Sequence, residues 1–250
     1  MLTLIDMFFA QAVAFSYAGA RTLPVFMLLP CLGERILPGV TVRATLVVWT
    51  AVGLGVSGDT ALPDLPTLAF SLGREAAIGL LLSLPLCLPF WVAQAVGELL
   101  DNQRGATLAE SIDPASGHES STLASFLGML FSAIFFAGDG LHTVVRALQR
   151  SYDAWPIGGL GSVGTVLGLL STLLAEGMRL AAPAMLVMLL GDAILGIYSR
   201  YCAQVNAFSL SLSIKSLLAF AVLLLYLGDT VGPGLWTLWL RTGTALMSAQ

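Results

Sequence analysis

The chain has 250 residues, of which 57% are apolar and 10% charged, with a net charge of −4 and a mean hydropathy of +0.88. A soluble domain is about a quarter charged and must turn polar surface to water, so this composition excludes an ordinary globular enzyme and calls for lipid, or a large apolar partner surface, as part of the solvent. The charges form no basic cluster, which excludes a nucleic-acid surface and a polybasic reader of anionic lipid.

The N-terminus is apolar from Met1, and Asp6 is its only charge before Arg21. It lacks the positive region of a cleavable signal and predicts a retained first span. Charges then punctuate the candidate spans. These are 8–29 and 40–56, with Arg21 and Arg43 inside them, and an uncharged run at 76–97. Next come 122–137, extending to 145 past Asp139 and His142, then 163–190, and a shorter 216–227 that needs neighbouring residues to cross. A bilayer core takes about 20 helical residues, which predicts an all-α polytopic membrane protein with about six hydrophobic segments, in a single domain over 1–250. Pro24, Pro30, Pro85, Pro89 and Pro183 lie in or beside these segments. Each removes a backbone donor and clashes one turn back, which predicts kinks. Basic residues do not set an orientation: Arg35, Arg43, Arg104, Arg200 and Lys215 on one side balance Arg74, Arg146, Arg150 and Arg241 on the other. Cys31, Cys87 and Cys202 make no CxxC pair or zinc spacing and read as small buried hydrophobes.

Polar residues concentrate in two places. Glu98, Asp101 and Arg104 lie three apart and share a helical face if the preceding span continues; Asn102 and Gln103 fall between them. Gly105 and the Asp113-Pro114-Ala115-Ser116-Gly117 run then carry turn chemistry. The stretch 105–121 is a long loop between two strong spans, either solvated or functional. The second region opens at Asp192 and runs through Arg200, Gln204, Asn206 and Lys215. From Phe208 to Ile214 apolar residues alternate strictly with serine, a period of two that is not helical. The segment 199–216 is therefore expected to be partly non-helical, buried in protein or lining water, or else a solvated loop. Within the 163–190 stretch, Glu176 and Arg179 sit at i and i+3. They form a mutual salt bridge or both face a polar interior.

Enzymatic motifs fail on inspection. His118-Glu119 is followed by Thr122 where a zinc-protease helix needs its second histidine. Asp139 and His142 fall within one turn but lack a third ligand. No histidine follows residue 142 to serve Ser162. With two histidines in the chain, acid–base catalysis near neutral pH is poorly equipped.

Along nearly its whole length the sequence resembles the FliR/SctT family of type III export-apparatus membrane proteins. Arg21, Pro24, Pro30, Pro38 and Arg43 fit the family's early arginine–proline pattern. Glu75-Ala76-Ala77-Ile78-Gly79, Gly97-Glu98, Asp101, Gln103-Arg104-Gly105 and Asp113-Pro114 follow in family order, as do Phe135-Phe136 to His142 and Ser151 to Pro156. The most specific stretch is Arg200 to Phe208, continuing through Lys215; within it Ala203 stands where the family usually has proline, which bears on a local kink. The Asp101-Asn102-Gln103-Arg104-Gly105-Ala106-Thr107 run is closer to the injectisome branch than to the flagellar one.

The resemblance implies a core subunit of an export gate in a Gram-negative inner membrane, with no catalysis and no cofactor. Its implied partners are the SctR/FliP-like and SctS/FliQ-like subunits, an SctU/FlhB-like switch protein, and unfolded secreted proteins in transit. The kinked helices would pack into a helical assembly around the pore. Residues 105–121 would be the pore plug, anchored by Glu98, Asp101, Asn102, Gln103 and Arg104. Arg200, Gln204, Asn206, Phe208 and Lys215 would serve assembly. A different class, a secondary transporter or small-solute channel, would instead use Glu176, Arg179 and Asp192 as its site; the lack of a convincing internal repeat counts against it.

Overall fold

The computed structural model describes residues 2–33, 36–55, 64–103, 121–157, 163–201, 207–226 and 232–248. All regular structure among them is helical: α1 (Leu2–Leu28), a 3-10 turn (Pro30–Leu32), α2 (Val40–Gly53), α3 (Leu65–Gln103), α4 (Thr122–Ala137), α5 (Gly140–Ala154), α6 (Val163–Tyr201), α7 (Ala207–Tyr226) and α8 (Gly232–Ser248). In apolar surroundings a helix satisfies its own backbone polar groups, so long apolar runs have no cheaper conformation. Side-chain hydroxyls follow the same logic. Thr22 donates to the Ala18 carbonyl, Thr50 to Leu46 and Ser132 to Gly128, each one turn back.

The chain boundaries have local causes. Leu29 is extended (φ −66°, ψ 114°) because the Pro30 ring disfavours helical geometry in the residue before it. Gly39 opens α2 at φ 116°, a conformation that favours glycine. Asp139 interrupts the run from α4 to α5 in the left-handed conformation, at φ 58°. α3 and α6 are the longest helices, at 39 residues each. α3 begins before the uncharged run, taking in Arg74 and Glu75, and passes through Pro85 and Pro89.

By length and hydropathy, Leu65–Gln103 and Gly177–Tyr201 can each cross a bilayer. Thr122–Ala137 and Gly140–Asp153 pass the same test taken together as one broken span. The described residues thus supply two or three such segments, with Val40–Gly53 and Ser213–Val222 as shorter apolar helices.

One expectation is corrected. Phe208 to Ile214 is not extended; it lies in α7, which starts at Ala207. Alternation over so few residues is outweighed by the apolar run that follows, where helical hydrogen bonds leave no backbone group unpaired. Cys202–Asn206 lie outside the described residues.

The helices fall into two compact units. The first comprises Met1–Leu88, Phe136–Ser171 and Leu240–Gln250, and the second Pro89–Phe135 and Thr172–Trp239. In the first, α1 packs on α2, with Ala14, Ala18, Val25 and Phe26 buried against a core that includes Val47, Ala51, Ile78, Leu82 and Leu86. α5 contributes a stripe at Val144, Ala147, Leu148 and Ser151, the spacing of one helical face. In the second unit Phe90, Phe131, Phe135 and Trp239 are fully buried. Their rings meet edge to face at centroid distances of 4.7 Å (Phe90–Phe131), 5.3 Å (Phe90–Phe135) and 4.9 Å (Phe135–Trp239), an arrangement aromatic quadrupoles favour.

Candidate functional site: two buried polar clasps

Of the two described members of the predicted Glu98–Asp101–Arg104 series, the fold buries Asp101 and leaves Glu98 exposed. Asp101 stands in the last turn of α3, 1% exposed. Its Oδ2 accepts a hydrogen bond from the Ser121 hydroxyl at 2.5 Å and another from the Leu123 backbone N–H at 2.9 Å. Ser121 itself caps α4, its Oγ accepting from the Ala124 N–H at 3.0 Å. The first N–H groups of a helix have no partner within it and carry partial positive charge, so a carboxylate there meets both needs. Gly97 brings the two helices close enough for this: a Cβ at that position would collide with the backbone of Leu123 and Ala124. Small residues that let backbones touch are a common device for packing helices in membranes. The clasp joins the last turn of α3 to the first turn of α4.

Glu98 and Asn102 are exposed and Gln103 is half-buried. Arg104, Gly105, Asp113 and Pro114 lie outside the described residues. In the second polar region Arg200 is exposed in the last turn of α6, and Lys215 Nζ lies 2.6 Å from Asp192 Oδ1. That pair joins α6 to α7, where Gly191 sits against Leu218. Gln204, Asn206 and the Phe208 side chain lie outside the described residues. Glu176 and Arg179 fall one turn apart on α6, with Arg179 exposed; the Glu176 side chain is outside the described residues.

The first unit holds a clasp that spacing could not reveal. Arg21 and Glu75 are both fully buried. Glu75 Oε2 accepts from Arg21 Nε at 2.7 Å and lies 2.6 Å from Nη2. Arg21 also donates from Nη1 to the Ser151 hydroxyl at 3.1 Å and from Nη2 to the Trp155 carbonyl at 2.9 Å. Its guanidinium lies 3.8 Å from the centre of the Tyr152 ring, within cation–π range. One turn after Glu75, Gly79 packs so tightly on α1 that a Cβ would collide with the Arg21 carbonyl. In the sequence Arg21 is a charge within an apolar run and Glu75 a charge at the edge of one, both within stretches that carry the family resemblance, and the 54 positions between them give no sign that they pair.

Apolar surface is also left uncovered. Of the Gly177–Tyr201 span only 24% is buried, against 67% for the α3 span. Leu186, Leu189, Leu190, Ile194 and Ile197 on α6, and Leu217, Leu224 and Leu225 on α7, are exposed. A soluble monomer rarely leaves such a continuous apolar face in water.

Helices held by buried polar clasps, with apolar faces turned outward, define an all-helical membrane protein. The family described as bacterial export proteins, family 1, matches residues 12–234, and the chain belongs to it. Surface presentation of antigens protein SpaR of Shigella sonnei is 40% identical over 207 residues, covering 81% of this chain and 80% of that protein. Yop proteins translocation protein T of Yersinia pestis is 30% identical over 215 residues, covering 82% of each. Flagellar biosynthetic protein FliR of Caulobacter vibrioides is 24% identical over 227 residues, covering 88% of each. The injectisome relatives are thus more similar to this chain than the flagellar one.

Proposed function

We propose that the chain is a core subunit of the export gate of a type III secretion system, helping to form the pore through which unfolded proteins cross the inner membrane of a Gram-negative cell. The observation that carries this reading is the family match over 12–234, reinforced by relatives covered along four-fifths of their length. The injectisome branch is favoured over the flagellar one by the higher identities. Energy for transport comes from elsewhere in the machine, and this chain supplies structure.

The chain passes the membrane about six times in kinked segments, each crossing needing about 20 residues, the shorter helices crossing with help from neighbours. The uncovered faces of α6 and α7 are suited to SctR/FliP-like and SctS/FliQ-like subunits, with an SctU/FlhB-like switch protein nearby. Arg200, Gln204, Asn206, Phe208 and Lys215 serve that assembly. Residues 105–121 plug the closed pore, and Asp101 clasps the base of the plug. A secondary transporter fits less well, because the family matched over 12–234 is described as bacterial export proteins and the Yersinia pestis relative is named for the translocation of proteins.

Deleting 106–116 tests the plug. Assembly should persist while small solutes leak through the inner membrane; leakage at background in an assembled gate refutes it.

A further inference from the structure

We propose that Arg21 is a positioning residue that caps the C-terminal end of α5 from a distance, and that the chain requires the planar fork of arginine there rather than a positive charge. The proposal is independent of the export reading.

Among the described residues, α5 ends without a glycine cap of its own. Its C-cap residue is Trp155, at φ −130° and ψ 80°, and the next residue is Pro156. Among the described residues no left-handed glycine turns back to bond the last carbonyls, as commonly happens at helix ends. The last four carbonyls of a helix lack partners within it and carry partial negative charge. Arg21, on another helix, supplies what is missing: Nη2 donates to the Trp155 carbonyl, and Nη1 donates to the Ser151 hydroxyl. That hydroxyl in turn donates to the Leu148 carbonyl at 2.6 Å, so one guanidinium grips the last turn at two points. Tyr152, between them in sequence, lays its ring against the same group.

Glu75 makes this possible. An isolated guanidinium in an apolar core would be prohibitively costly, and Glu75 neutralises it through Nε and Nη2. The three nitrogens of one plane thus serve acceptors on α3, in α5 and just beyond α5. A lysine ammonium has the charge but neither the fork nor the flat face that stacks on Tyr152. Exchanging the two charges would carry the donors to α3 and set a carboxylate against the Trp155 carbonyl.

Hydrogen exchange on the purified full-length chain tests this, because the Trp155 amide donates to the Ser151 carbonyl at 2.8 Å and reports the last turn of α5. In Arg21→Lys, and in the exchanged pair Arg21→Glu with Glu75→Arg, the segment 151–155 should exchange about tenfold faster or more, as expected for losing a charge-assisted hydrogen bond. Segment 122–135 should keep native protection. Native exchange at 151–155 in either variant overturns the proposal. If Arg21→Lys loses protection throughout, Ser151→Ala decides, since it leaves the Arg21–Glu75 pair in place: acceleration confined to 151–155 supports the cap, and unchanged exchange there overturns it.

Discussion

The carboxylate of Asp101 and the hydroxyl of Ser121 meet at 2.5 Å across a stretch of chain twenty positions long. Both groups act on α4: Ser121 as its N-cap through Ala124, Asp101 through the Leu123 N–H. Asp101→Ala should destabilise the chain by about 1–3 kcal/mol, since it leaves buried donors unpaired. Ser121→Ala should cost about 0.5–2 kcal/mol, the range for losing an N-cap. Asp101→Asn, which keeps an acceptor, should lie between native and Asp101→Ala. Thermal unfolding in mild detergent ranks the three variants.

Two glycines of α3 should behave oppositely. Gly97→Ala drives a methyl group into the backbone of α4, whereas a Cβ at Gly73 meets nothing within 4 Å. Gly97→Ala is expected to destabilise by about 1–3 kcal/mol through overpacking, while Gly73→Ala gains up to about 1 kcal/mol from helix propensity. The same unfolding assay reads both. Equal effects would mean that α3 and α4 are not in backbone contact at Gly97.

Trp239 fills the aromatic core of the second unit, yet its indole nitrogen is buried without a hydrogen-bond partner among the described residues. Trp239→Phe keeps the ring contacts and removes that nitrogen, so it should cost less than about 1.5 kcal/mol. Trp239→Ala empties the site and should cost about 3–5 kcal/mol. A large loss from Trp239→Phe, detected as a fall in melting temperature close to that of Trp239→Ala, would show that the nitrogen has a partner.

Cys31 and Cys87 are fully buried free thiols. Both should resist a water-soluble maleimide in the folded chain and react once it is denatured in SDS. Mass spectrometry of the labelled peptides distinguishes them from Cys202.

Much of the helical framework was legible in the sequence because composition fixes it. Apolar runs too long for strands, interrupted by charges, become helices wherever water is scarce. α4 occupies 122–137 with its break at Asp139, and α6 starts at Val163, both as the charge and glycine positions suggest. Charges misled where they pair internally. Arg74 and Glu75 stand just outside the uncharged run at 76–97, but Glu75 is neutralised by Arg21 and α3 runs through both. The spacing of Glu98, Asp101 and Arg104 places them on one face, yet could not show that Asp101, and not Glu98, has a helix N-terminus to cap. The serine alternation at 208–214 imitates a strand because serine is tolerated within an apolar helix when its hydroxyl bonds the backbone of the preceding turn. Arg21 and Ser151 are 130 positions apart, and no local pattern encodes such a contact.

The central claim is that the apolar faces of this chain are completed by other subunits. Co-expression with SctR-like and SctS-like proteins, followed by purification in mild detergent through a tag on this chain alone, tests it directly. The account predicts a single stable complex containing all three unlike proteins. Recovery of this chain by itself, as a monodisperse and stable species that leaves the other two behind, would contradict it.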